Sequence, residues 1–178
     1  SDLMGKGMIC SRQDDFKAFY EKVVEADGVL FVDPIFESGA TGLYHSITDR
    51  MGPGHDTGMM KMLDGKLKEA GKEGLNPRYF RQKALSFVGI GGSDWAVRCE
   101  TDHAMFALSP GWKVVNNEFF SWCKDVIMQD DKVERMKEIG RNLADAAQQI
   151  IDEDMQIEGS EKTSLWKGQI GRSTRLNS

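Results

Sequence analysis

Gly28-Val-Leu-Phe-Val-Asp33-Pro34-Ile-Phe36-Glu-Ser38-Gly-Ala-Thr41-Gly42 is followed by Leu43, Ile47 and Met51 at i, i+4 and i+8. The unbroken apolar run Val29, Leu30, Phe31 and Val32 predicts a parallel strand covered on both faces. Asp33-Pro34 ends it, because proline cannot donate to a ladder. A loop of small residues then leads into a helix over 41–51 with one apolar stripe. Such a strand–loop–helix unit places the loop at the carboxyl end of the strand, where open α/β sheets bind ligands. Working outward, 84–90 predicts a second strand, followed by Gly91-Gly92-Ser93-Asp94-Trp95, and 112–115 predicts the last strand, with Asn116 and Asn117 at its end. Helices are expected over 14–25, 101–108 and 130–151, the first with Asp14 and Asp15 at the helix end that favours carboxylates. The alternation predicts an α/β fold, a doubly wound parallel sheet in three α/β/α layers.

The chain has 178 residues, 40% hydrophobic and 29% charged, enough for one domain with a sizeable core. A single domain is expected over 1–170. Within it, 52–80 reads as an insertion or lid, with Gly52-Pro53-Gly54, the methionines Met59, Met60 and Met62, and Asn76-Pro77. A net charge of −5 with interspersed signs offers no basic face to a phosphate backbone, so nucleic acid is not an expected partner. No run approaches the roughly 18 apolar residues of a membrane span. Cys10, Cys99 and Cys123 are odd in number and far apart, which fits a reducing, cytoplasmic compartment better than a disulfide framework. His45, His55 and His103 are too scattered to suggest a zinc site, which needs three or four ligands. His103 with Asp102 reads as helix surface, and no serine, cysteine and histidine constellation points to a hydrolase. Trp112, Phe119, Phe120 and Trp122 read as packing; for Trp122 the alternative is to cover a neighbouring subunit's site.

The stretch resembles the NAD(P)H-dependent FMN reductases of flavodoxin-like fold, to which iron–sulfur flavoproteins are related. The resemblance is carried by Ala26-Asp27-Gly28 before the strand, Pro34-Ile35-Phe36 at its end, Ser38-Gly39-Ala40-Thr41-Gly42 in the loop and Asp49-Arg50 closing the helix. It implies bound FMN, with NADH or NADPH as co-substrate. Pro34, Ile35 and Phe36 would pack beside the flavin ring, and Glu37, Ser38 and Gly39 would hydrogen-bond near it. Gly91, Gly92, Ser93 and Trp95 would line its pyrimidine side. It further implies a homodimer or tetramer, a quinone, flavin or other small electron acceptor, and no dedicated catalytic side chain, since the flavin carries the redox chemistry.

The family's opening strand and phosphate loop are not visible before residue 28, so the sheet is expected to lack both, and 171–178 reads as an artefactual tail. Cys10 stands where iron–sulfur flavoproteins carry their last cluster cysteine. A cluster needs about four thiolates, and no second cysteine lies in residues 1–13, so these residues by themselves support a lone thiol. Asp33 replaces the family's usual small residue and puts a carboxylate at the strand end. Two other functions share the fold: a flavin-bearing electron carrier that does not oxidise nicotinamide, and a receiver domain phosphorylated on Asp33.

Overall fold

The computed structural model describes residues 12, 14–52, 56–92, 97–108, 110–122 and 129–159. In chain order the elements are α1 (Phe16–Glu25), β1 (Gly28–Pro34), α2 (Gly42–Met51), α3 (Thr57–Glu69), a 3-10 turn (Pro77–Tyr79), β2 (Ala84–Ile90), α4 (Val97–Leu108), β3 (Lys113–Phe120) and α5 (Asp130–Gly159). The strands form one parallel sheet in the order β1-β2-β3, with Gly28 opposite Ala84 and Pro34 opposite Ile90.

Alternation along β2 explains the layers. Leu85 and Phe87 point to one face, where Phe16, Tyr20, Val23 and Val24 of α1, Tyr44 and Met51 of α2, and Phe106 of α4 close over them. Ala84 and Val88 point to the other, against Ala146, Ile150 and Ile139 of α5. The result is the three-layer α/β/α arrangement with a parallel sheet expected of a flavodoxin-like fold.

The apolar run of β1 is covered on one face only. Val29 and Phe31 pack into the first core, but Leu30 and Val32 remain 38% and 48% exposed, because β1 is an edge strand. Burial on both faces is thus corrected for this strand. The last strand runs on through Asn116 and Asn117 to Phe120, because parallel pairing with β2 continues past a register shift at Leu85/Ser86. Helix α4 begins at Val97, four residues before the expected start.

Local chemistry fixes the helix ends that matter for the site. The Thr41 hydroxyl caps α2 by accepting from the Tyr44 N–H at 3.2 Å, and Gly52, at φ 45°, ends that helix in a backbone region few other residues tolerate. Arg50, at the closing Asp-Arg, donates to Asp14 Oδ1 at 2.7 Å and lies over the Phe16 ring, so it fastens α2 to the start of α1. Asp14 also accepts from the Phe16 N–H at 3.1 Å, which bears out its structural place at the start of α1. In the 52–80 segment, Met60 is fully buried while Met59 and Met62 are partly exposed, and Asp56 caps α3.

Lys83 is 2% exposed, and its Nζ donates to the carbonyls of Val24 and Ala26, both at 2.6 Å, closing the C-terminus of α1. Burial pulls its pKa down to about 8. Between that value and the ordinary range near 10.5 the unfolded chain holds the proton while the folded one has released it, so this group's contribution to stability grows as pH rises. Lys83→Met should cost about 2 kcal/mol, since two carbonyls lose a buried donor. The gap between wild type and variant in urea unfolding should widen from pH 7.5 to pH 10; a gap that narrows would contradict the assignment.

Candidate functional site

The carboxyl ends of β1 and β2 carry the loops singled out from the sequence. Ile35 continues the pairing past the proline, its N–H donating to the Ile90 carbonyl at 2.8 Å. The chain then reverses in a tight turn, with the Gly39 N–H on the Phe36 carbonyl at 3.1 Å and both central residues, Glu37 and Ser38, in the left-handed region at φ 49° and 67°. Side chains there cost roughly 1–2 kcal/mol per residue. Among the described residues the remaining non-glycine case is Trp122, at the end of β3. Strain of this kind is kept where the surroundings over-determine it, and it concentrates at functional edges.

The surroundings are visible. Ser38 accepts the Cys99 N–H at 2.9 Å, which ties the turn to the first residues of α4, and the Arg98 side chain lies across Gly39. Phe36, at the head of the turn, is 71% exposed, and Glu37 is exposed beside it. The N–H groups of Glu37 and Ser38 have no hydrogen-bond partner among the described residues. An aromatic face and two unspent donors therefore stand together at the sheet's carboxyl edge.

Gly89 and Gly91 owe their smallness to packing. A Cβ on Gly89 would lie 3.1 Å from Ile35 Cδ1 and 3.2 Å from the Phe119 ring, and one on Gly91 would lie 3.1 Å from that ring. Gly92 is exposed and has open space on its Cβ side. Ile35 thus packs against the β2 glycines, and Pro34, Phe36 and Glu37 face outward. Ser93, Asp94 and Trp95 lie outside the described residues, as do Cys10, His55, Cys123 and 171–178.

Beneath the turn, Asp33 converges with a pair of residues far along the chain on α4. Asp33 is 5% exposed; its Oδ2 accepts the Thr41 N–H at 2.9 Å and its Oδ1 the Thr41 hydroxyl at 2.6 Å. His103 Nε2 lies 4.0 Å from Asp33 Oδ2 and 3.5 Å from Cys99 Sγ. The imidazole is fully buried, stacked on Phe87 at 4.5 Å and met edge-on by Tyr44. His103 is therefore not helix surface: α4 turns this residue toward the sheet, and Asp102, its sequence neighbour, points instead toward His45 at 3.6 Å. Burial lowers the His103 pKa, opposed by Asp33, while burial and then Asp33 push the Cys99 thiol up to about 12. No spacing rule joins residues 33, 99 and 103. The one local signal was the i, i+4 placement of Cys99 and His103 on a helix face.

A separate cavity of about 330 Å3 opens between α2 and α4, lined by Tyr44, His45, Thr48, Asp49, Asp102, Met105 and Phe106. None of these belongs to the loops at the carboxyl edge. Asp33 offers no accessible oxygen to a phosphoryl donor, because both are engaged by Thr41 in a buried setting. That geometry disfavours the receiver alternative.

A parallel sheet with a strained loop and an exposed aromatic at its carboxyl edge defines a flavodoxin-like α/β protein. The family model described as NADPH-dependent FMN reductase matches residues 2–126. A solved structure named flavone reductase is similar at 44% identity and a TM-score of 0.74, over 80% of this chain and 49% of its own. The chain belongs to the NADPH-dependent FMN reductase family. It spans about half the length of that solved relative. A further structure, RosB with bound 8-demethyl-8-formylriboflavin-5'-phosphate, is similar at 16% identity with a TM-score of 0.47, over 94% of this chain and 64% of its own, too slight a likeness to carry an argument. No curated protein matches the sequence. Among the described residues no helix is long and apolar enough to cross a membrane.

Proposed function

We propose that the protein is an FMN-dependent oxidoreductase that takes electrons from NADH or NADPH and passes them to a quinone, a flavin or another small acceptor. The observation that carries this reading is the Phe36–Gly39 turn: two strained residues holding an exposed aromatic ring and two N–H groups that no described residue accepts, at the carboxyl edge of the sheet. These groups fit the ring end of FMN, which is flat, aromatic and edged with hydrogen-bond acceptors. When bound, FMN supplies hydride acceptance and onward electron transfer.

The chain's own residues bind and orient. Phe36 stacks on one ring face, and Pro34 and Ile35 shape the edge beside it. Glu37, Ser38 and Gly39 would present the backbone of the turn to the ring, and on the family resemblance Gly91, Gly92, Ser93 and Trp95 would border its pyrimidine side. Arg98, which the sequence did not single out, lies across Gly39 and adds a cation next to where negative charge collects on reduction. The opposite ring face is left for nicotinamide and acceptor in turn. Assembly as a homodimer or tetramer, with Trp122 near a neighbouring site, belongs to the same proposal; Trp122 is 67% exposed.

Adding FMN should produce a protein-bound flavin spectrum that NADH or NADPH bleaches. Phe36→Ala should weaken FMN binding about 5- to 150-fold, the equivalent of roughly 1–3 kcal/mol of stacking. It should leave the unfolding midpoint unchanged, because the ring packs little in the fold. Equal FMN affinity in wild type and variant would remove Phe36 from the site. Bound flavin that neither nicotinamide bleaches would favour the electron-carrier alternative.

A further inference from the structure

We propose that Asp33, Cys99 and His103 form a site for one borderline divalent cation, Zn2+ foremost, which fastens the end of β1 and the strained turn above it to α4. Three ligand atoms of different type, a carboxylate oxygen, a thiol sulfur and an imidazole nitrogen, lie within 4.8 Å of one another, and all three residues are buried. Tetrahedral zinc, with bonds of about 2.0–2.3 Å, sets its ligand atoms about 3.3–3.6 Å apart. Nε2 stands 4.0 Å from Asp33 Oδ2, and Cys99 Sγ stands 3.5 Å from Nε2 and 3.7 Å from Nδ1, so the site closes when the Cys99 side chain turns from the face of the imidazole toward Nε2.

Two of the three donors are already oriented by a neighbour, as metal ligands usually are. Asp33 is held by two hydrogen bonds from Thr41, and the His103 ring is clamped between Phe87 and Tyr44. Cys99 and His103 are one helical turn apart on α4, a chelating pair on a rigid element. The charge balance points the same way: a buried carboxylate is costly unless paired, and the ionisable partner that Asp33 meets, at 4.0 Å, is His103, itself one of the three donors. The mixed sulfur and nitrogen donors select zinc over Mg2+ or Ca2+, which prefer all-oxygen sites. On binding, the Cys99 thiol gives up its proton to solvent and bonds the ion as thiolate, with no change in oxidation state.

Through the Cys99 N–H on the Ser38 carbonyl, the ion would brace the loop proposed to meet the flavin. The site is nonetheless tested without flavin, so its failure is separate from failure of the reductase reading. After chelator treatment and dialysis, wild type titrated with Co2+ should take up one equivalent. It should develop a thiolate-to-cobalt charge-transfer band in the near ultraviolet together with the visible bands of tetrahedral cobalt, and Zn2+ should abolish both. Cys99→Ser should lose the charge-transfer band, and His103→Gln should weaken uptake by about 100-fold or more. Because either variant could fold poorly, wild type decides by itself: a folded protein that shows no charge-transfer band with Co2+, and whose thermal midpoint Zn2+ does not raise, overturns the proposal. Cobalt bands that persist undiminished in a folded Cys99→Ser protein overturn it as well.

Discussion

Phe87→Ala is expected to lower the unfolding free energy by about 3–5 kcal/mol, a large share of the total for a domain of this size. Phe87 is fully buried in the middle of the central strand, and its ring stacks on Phe31 at 5.5 Å and on His103 at 4.5 Å. Truncation removes the aromatic contacts of both neighbours and leaves a cavity between sheet and helices, where α2 and α4 cannot collapse without dragging the site with them. Two readouts follow. Chemical denaturation should report the loss of stability, and the His103 ring, freed on one face, should gain mobility visible as broadened imidazole resonances. Phe87→Leu, which refills part of the volume, should recover more than half of the stability. A cost below about 1 kcal/mol for the alanine variant would show that the sheet face is loosely packed.

Asp33→Ala should cost about 3 kcal/mol and also raise the midpoint potential of bound flavin. The stability loss comes from Thr41, whose N–H and hydroxyl both donate to this carboxylate at 2.9 and 2.6 Å and would be left without an acceptor at the start of α2. Asp33→Asn, which keeps one acceptor oxygen, should cost less. The redox effect is independent of the hydrogen bonds. A negative charge near the flavin opposes the anionic reduced form, and removing it is worth about 1 kcal/mol at the effective dielectric of a protein site, or on the order of 20 mV for a two-electron couple. Both variants should therefore shift the midpoint upward by similar amounts while differing in stability. A midpoint that stays put, or falls, in a folded Asn variant would show that Asp33 has no electrostatic hold on the cofactor.

The strands were legible because their signals are local. Residues 28–33 and 84–90 are short apolar runs bounded by proline and glycine; the second appears in the structure at those bounds and the first runs one residue further, to Pro34. The turn at 36–39 was marked by its small residues and by family resemblance, although neither discloses that Glu37 and Ser38 adopt left-handed backbone. His103 was misread for a definable reason. Its neighbour Asp102 is polar, so the pair resembles a solvated helix face, and only the rotation of α4 against the sheet turns His103 into the core and the half-buried Asp102 toward His45. Lys83 was equally silent, since a lysine ahead of a strand is ordinarily exposed. The end of β3 was missed because Asn116 and Asn117 look like a strand terminus, whereas parallel pairing to β2 carries the strand past them.

By itself the sequence determined the α/β alternation, the parallel strands, the loop after β1 and, through that loop, the flavin-reductase family. These rest on periodicity and on near-neighbour rules that act over a few residues. Only the tertiary structure decided that Leu30 and Val32 would stay partly exposed at a sheet edge, that Lys83 would close α1, and that Asp33, Cys99 and His103 would meet below the strained turn. The physical reason is distance along the chain. Residues 33 and 99 approach because β1 and β2 pair in register, α4 packs on β2 and β3, and the Cys99 N–H reaches the Ser38 carbonyl of the turn after β1; no pattern within either segment encodes that meeting.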